Sequence, residues 1–182
     1  MEIIKTPISD LLIIKPRVFA DSRGFFCETY NENTYLEAGI HLHFCQDNQS
    51  KSSYGVIRGL HYQLNPQSQS KLVSVVRGSV WDVAVDLRAS SPTYGQWYGV
   101  ELTEENHLQF LIPQGFAHGF SVLSETAVFS YKCDNFYSPT LERGIMYNDS
   151  TLAVDWKIPT DKAIISDKDL KHPLFKDAEK NF

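Results

Sequence analysis

Short apolar runs punctuate the chain, separated by clusters of Gly, Pro, Ser and Asn. Runs rich in Val, Phe, Tyr and Trp cover residues 11–19, 25–31, 43–49, 56–63, 71–77, 79–87, 96–102, 108–112, 119–123 and 126–133. Each is predicted to be a β-strand, because β-branched and aromatic side chains suit a pleated, half-buried surface. Within 79–87 the pattern alternates, so Val80, Asp82, Ala84 and Asp86 share one face and Trp81, Val83, Val85 and Leu87 the other. Arg77-Gly78-Ser79, between two such runs, predicts a tight hairpin. Helical periodicity is sparse. "NENTYLEAG" at 31–39 predicts one short helix capped by Asn31 and stopped by Gly39, and residues 161–179 predict a turn or two more. Many strands spaced about ten residues apart point to an antiparallel sandwich or jelly roll, not alternating β and α units.

No repeat, low-complexity stretch or charged linker interrupts this pattern, so residues 1–182 read as one domain. That length allows a sizeable core. Hydrophobic residues at 42% and charged residues at 21% give the balance of an ordinary globular protein. The net charge of −5 argues against a nucleic-acid-coating surface and leaves room for a local basic pocket. The opening "MEIIKTPISDLL" lacks the apolar core of a secretory signal. No apolar run approaches the ~20 residues that cross a bilayer, so no membrane association is expected. Cys27, Cys45 and Cys133 are scattered and odd in number, which excludes a disulfide framework and points to the cytoplasm with reduced thiols.

Polar side chains inside the strand-like runs are the chemical signal. Arg23 and Glu28 sit in "DSRGFFCETY", Gln46 and Asn48 in "CQDNQSKS", Arg58 and His61 in "VIRGLHYQ". Lys71, His118 and Tyr131 interrupt three further runs. Period-2 spacing puts Gln46 and Asn48 on one face. It puts Arg58 and His61 on opposite faces, unless Gly59 introduces a bulge that brings them to one pocket. Singly, each polar residue reads as solvated or structurally hydrogen-bonded. Together they point to a cavity for an anionic ligand, since buried charges are costly unless paired. His41 and His43 have an H-x-H spacing that suits a metal, but no glutamate follows, and no metal site is expected. His107 and His172 receive no role. Nucleotide-binding glycine loops, nucleophile elbows and zinc-protease motifs are absent.

Taken in order, "DSRGFFCETYN", "QDNQSKS", "RGLHYQ", "GSVWDVAVDLRASSPTYGQW", "IPQGFAHGF" and "ISDKD" resemble the dTDP-4-dehydrorhamnose 3,5-epimerases, over about residues 3–174. The resemblance implies an all-β, cupin-type jelly roll with a few short helices, a homodimer, and a dTDP-sugar substrate handled without cofactor or metal. It implies epimerisation of dTDP-4-dehydro-6-deoxy-D-glucose at C3 and C5. By its motifs, His61 matches the base, Asp169 the carboxylate that orients it, Tyr131 the acid on the opposite face, and Lys71 the cation at the enolate oxygen. Arg23, Glu28, Gln46, Asn48, Arg58, His118, Glu142 and Lys168 match substrate-binding positions, and Phe25, Phe26 and Tyr137 are candidates to flank the sugar or base. Asp82 and Asp86 read as a structural network, with Asp82 alternatively reinforcing the orientation of His61. Three other readings remain: a C3-only or C5-only epimerase, a 3,4-ketoisomerase, and a non-catalytic sugar-binding cupin.

Overall fold

The computed structural model describes all 182 residues and contains thirteen strands and one short α-helix. The strands are β1 (Glu2–Lys5), β2 (Leu12–Lys15), β3 (Val18–Asp21), β4 (Gly24–Cys27), β5 (Gln46–Ser53), β6 (Ile57–Gln63) and β7 (Lys71–Arg77). They continue with β8 (Ser79–Asp86), β9 (Trp97–Thr103), β10 (Gln109–Ile112), β11 (Phe116–Val122), β12 (Thr126–Cys133) and β13 (Glu142–Gly144). Two antiparallel sheets face each other, ordered β1-β2-β10-β7-β12-β5 and β13-β6-β11-β8-β9, and β3 with β4 forms a separate hairpin. This is the all-β jelly roll expected of the sequence.

The alternation of β8 is what joins the layers. Val80 and Ala84 point between the sheets and pack with Val73, Val75, Phe110, Phe120 and Phe129. Val83, Val85 and Leu87 point outward, where the C-terminal segment covers them with Ile145, Leu152, Trp156 and Phe175. A third cluster seats the helix α1 (Glu32–Glu37) through Tyr35, against Ile14, Leu72 and Leu111. The Asn31 side chain accepts hydrogen bonds from the Asn33 and Thr34 amides, and Gly39 takes φ +83°, so the helix starts and stops where its sequence says.

Several expectations need correction. Pro16 breaks the 11–19 run, sending β2 into the six-stranded sheet and β3 into the hairpin. Arg77-Gly78-Ser79 is not a hairpin: β7 and β8 belong to different sheets, and the tripeptide turns the corner between them. Local turn chemistry is the same for both outcomes, and the choice is set by packing. The strand predicted over 25–31 ends at Cys27. The one predicted over 43–49 starts at Gln46 and runs on to Ser53 as a polar edge strand with no apolar alternation to mark it. β1 and β13 carried too few residues to be read from pattern.

Candidate active site

At one end of the sandwich the apolar filling between the sheets gives way to polar side chains on the same strand faces. On β12, Phe129 belongs to the core and Tyr131, two residues on, lines a cavity. On β7, Val73 and Val75 are core and Lys71 takes the next position on that face. On β11, Phe120 is core and His118 follows. The period-2 geometry of a strand therefore carries each polar group to the cavity. The cavity measures about 250 Å³, and Asn48, Arg58 and His61 also line it. A second chamber of about 380 Å³ shares Arg58 and His61 and is walled by Ser166, Lys168 and Asp169.

Arg58 and His61 share these walls because β6 carries one extra residue. His61 pairs with His118 while Arg58 pairs with Phe120, so three steps on β6 oppose two on β11. Gly59 sits in this irregularity with φ +136°, and a Cβ there would approach Gly119 Cα to 2.6 Å. Leu60 is turned outward into the buried cluster beneath the C-terminal segment.

Two histidine–carboxylate pairs stand side by side. His61 Nε2 lies 2.8 Å from Asp169 Oδ1, across 108 residues of sequence. With Nε2 donating to the carboxylate, Nδ1 of the imidazole is left as a proton acceptor. Burial works most strongly on the Asp169 carboxylate, raising its pKa, but the hydrogen bond and charge of His61 together with the Gly59 amide and His172 outweigh it and hold the pKa below the ordinary value. The second pair is His118 with Asp82, Nε2 at 3.0 Å from both carboxylate oxygens. Burial pushes His118 down, so it stands there as a neutral donor. Asp82 thus orients His118 and not His61, because β8 lies beside β11 and away from β6. Asp86 is structural: its carboxylate accepts from Arg88, Ser91 and Thr93.

Lys71 and Tyr131 come from the opposite sheet to His61, and the Lys71 ammonium lies 5.9 Å from the Tyr131 ring centre. Burial lowers the Lys71 pKa and raises that of Tyr131. Gln46 and Asn48 share a face as their spacing required, joined by a 3.1 Å hydrogen bond. Lys168, in the wall of the second chamber, donates to Glu142 at 2.6 Å; Glu142 also accepts from the Tyr137 hydroxyl at 2.8 Å and Gln46 from the Tyr137 amide, and these three line neither chamber themselves. These bonds offset the burial of Glu142 and keep it ionised.

Two of the sequence-derived positions stand apart. Arg23 lies on the β3–β4 hairpin, where it pairs with Asp21 and is 88% exposed, and Glu28 follows the hairpin and contacts Asn31. Neither lines the cavity of its own chain, nor do Phe25 and Phe26. Conversely, His172 received no role from sequence, yet its ring packs edge-on to His61 at 5.5 Å between centres. His61, Asp169 and His172 are the one group whose side-chain atoms converge closely enough to hold a metal ion.

A family model described as dTDP-4-dehydrorhamnose 3,5-epimerase matches residues 5–177. The chain is 53% identical over 180 residues to a protein of that name from Shigella flexneri, covering 98% of each. Among solved structures, the dTDP-4-dehydrorhamnose 3,5-epimerase of Elizabethkingia anophelis is 59% identical with a TM-score of 0.93, covering 97% of each chain. A Legionella pneumophila epimerase in complex with dTDP-4-keto-L-rhamnose is 48% identical with a TM-score of 0.94, covering 100% of this chain and 98% of that one.

Proposed function

The chain belongs to the dTDP-4-dehydrorhamnose 3,5-epimerase family, an isomerase family, and on that premise we propose that it inverts C3 and C5 of dTDP-4-dehydro-6-deoxy-D-glucose by proton transfer through an enolate. One observation carries the reading: His61 and Tyr131 project from opposing sheets into a single cavity with Lys71 beside them. A ketone at C4 acidifies the hydrogens on both neighbouring carbons. His61, held by Asp169, accepts one of them at Nδ1, and the charge moves onto O4. The Lys71 ammonium stabilises that oxygen, where preorganised positive charge lowers the barrier most. Tyr131 returns a proton to the opposite face, and the stereocentre is inverted. The raised pKa of Tyr131 keeps the phenol protonated for this step. The charge left on carbon is delocalised onto O4 beside Lys71, so the reaction in this reading needs neither cofactor nor metal.

Arg58, His118 and Asn48 hold the sugar and its phosphates from the cavity wall, and Lys168, backed by Glu142 and Gln46, holds them from the second chamber. A guanidinium suits a diphosphate because its fork matches the oxygens. Arg23 and Glu28 reach a site only in a homodimer, in which the hairpin of one protomer closes over the cavity of its partner. No helix is long and apolar enough to cross a membrane. The three cysteines are unpaired, which fits the reducing cytoplasm, where we place the enzyme.

The test is incubation of the protein with dTDP-4-dehydro-6-deoxyglucose in deuterated water. Label at both C3 and C5, with an L-configured product, is expected. Label at one carbon replaces the double epimerase by a single epimerase, and bound sugar with no label reduces the protein to a sugar-binding cupin.

A further inference from the structure

We infer that His61, Asp169 and His172 form a binding site for a divalent cation of the zinc class, and that occupying it switches the enzyme off. His172 Nε2 is buried without a hydrogen-bond partner and lies 3.4 Å from Asp169 Oδ1. The three ligand atoms all fall within 4.8 Å of one another. Zinc bound tetrahedrally at about 2.0–2.1 Å holds its ligand atoms about 3.3 Å apart. The His172–Asp169 spacing already has that value, and the 2.8 Å His61–Asp169 contact needs to open by about 0.5 Å. The two rings meet at 74°, so both imidazoles aim at one carboxylate without stacking. Gly144 makes this possible, since a Cβ there would collide with the His172 ring. Two imidazoles and one carboxylate favour zinc over magnesium, which prefers an all-oxygen shell. The fourth position is left to water.

The consequence follows from the imidazole's two nitrogens. A metal bonds His61 Nε2 only after the ring's single proton has moved, by exchange with solvent, from Nε2 to Nδ1, with Asp169 staying ionised as a ligand. A neutral ring then carries its proton on Nδ1, and the lone pair that accepts hydrogen from the sugar is gone. The inhibitory half of this inference rests on the proposed function, and the binding half stands without it.

The test uses the full, untagged chain, stripped with a chelator and dialysed. Zinc binding is measured by calorimetry and cobalt binding by visible absorption, with magnesium as the control ion. One zinc per chain is expected in the wild type, with affinity at least about 100-fold weaker in His172→Ala, since losing a ligand costs more than the ~10–100-fold lost with an outer-shell partner. His172→Gln, which keeps the volume of the site, guards against an alanine variant that fails to fold and is expected to lose affinity equally. His43→Ala removes the exposed rival pair of His43 and Glu32 and is expected to bind as the wild type does. Turnover should fall with occupancy and return on adding chelator, and His172→Gln should resist the metal. The site is overturned if the wild type takes up no stoichiometric zinc, if both His172 variants bind it equally well, or if His43→Ala abolishes binding. Zinc bound through His172 with turnover untouched overturns the switch. A metal-free enzyme with no epimerase activity counts against the proposed function, while the calorimetry still decides the site.

Discussion

In the proposed mechanism Lys71 places function and stability in opposition. The side chain is partly buried, that burial lowers its pKa, and the nearby carboxylates Asp82 and Glu142 act on it only from a distance. Nothing in the free protein compensates it as fully as an anionic transition state would. Lys71→Met is expected to raise the unfolding free energy by about 1–3 kcal/mol and to lower turnover by about 10²–10³, measured by urea titration and steady-state kinetics. The pH profile of kcat/KM separates Lys71 from Tyr131. Burial lowers the lysine and raises the phenol, so with increasing pH the lysine loses its charge first. The alkaline limb should therefore move upward in Lys71→Arg and stay in place in Tyr131→Phe; the reverse pattern would remove Lys71 from its role. Asn48, Lys71, His118 and Tyr131 reach the cavity at regular strand spacing, which a sequence displays, whereas Arg58 and His61 share it only through the irregularity in β6. The His61–Asp169 pair was available only through the family resemblance, and the His118–Asp82 pair was not legible at all. The pairing depends on β8 lying beside β11 and on a C-terminal turn folding back over β6, and neither order is written in any local pattern.

At the scale of elements, the β6–β11 irregularity converts an ordinary strand into a wall of the site. Without the extra residue, Arg58 and His61 would face opposite sides of the sheet. Gly59 allows it through φ +136° and through its closeness to Gly119, where a methyl group has no room. Gly59→Ala is expected to cost about 2–4 kcal/mol, through backbone strain and overpacking together. A urea midpoint measured at fixed chain concentration checks this, and a midpoint within error of wild type would mean the strand pairs without the bulge. The bulge was readable in outline from "VIRGLHYQ", since a glycine between two polar residues in an apolar strand invites one. The corner at Arg77-Gly78-Ser79 was not, because a turn joining strands of one sheet and a turn joining two sheets use the same residues. β5 escaped accurate bounds for the opposite reason: an edge strand needs no apolar alternation, and its polar sequence discourages pairing with another chain.

For the whole molecule, the β3–β4 hairpin is the part that makes least sense alone. It belongs to neither sheet, and it exposes Phe19, Phe25 and Phe26 at 50%, 61% and 68%. Aromatic surface of that extent on a two-stranded ribbon is not stable in water without cover. The same hairpin holds Arg23, a guanidinium suited to phosphate, outside the cavity of its own chain. Both facts are met at once if the ribbon lies across a second copy, burying its aromatics and delivering Arg23 to that copy's site. Sedimentation should then give twice the 20.8 kDa of one chain, and Phe26→Asp should shift it toward the monomer. Complementation separates delivery in trans from a hairpin that serves its own cavity. Arg23→Ala and His61→Asn chains are each expected to be poorly active alone. Mixed and allowed to exchange, they form dimers in which one site receives His61 from the first chain and Arg23 from the second. Recovered turnover establishes that the site is shared between copies, whereas a mixture no better than its parts returns the hairpin to the chain that carries it.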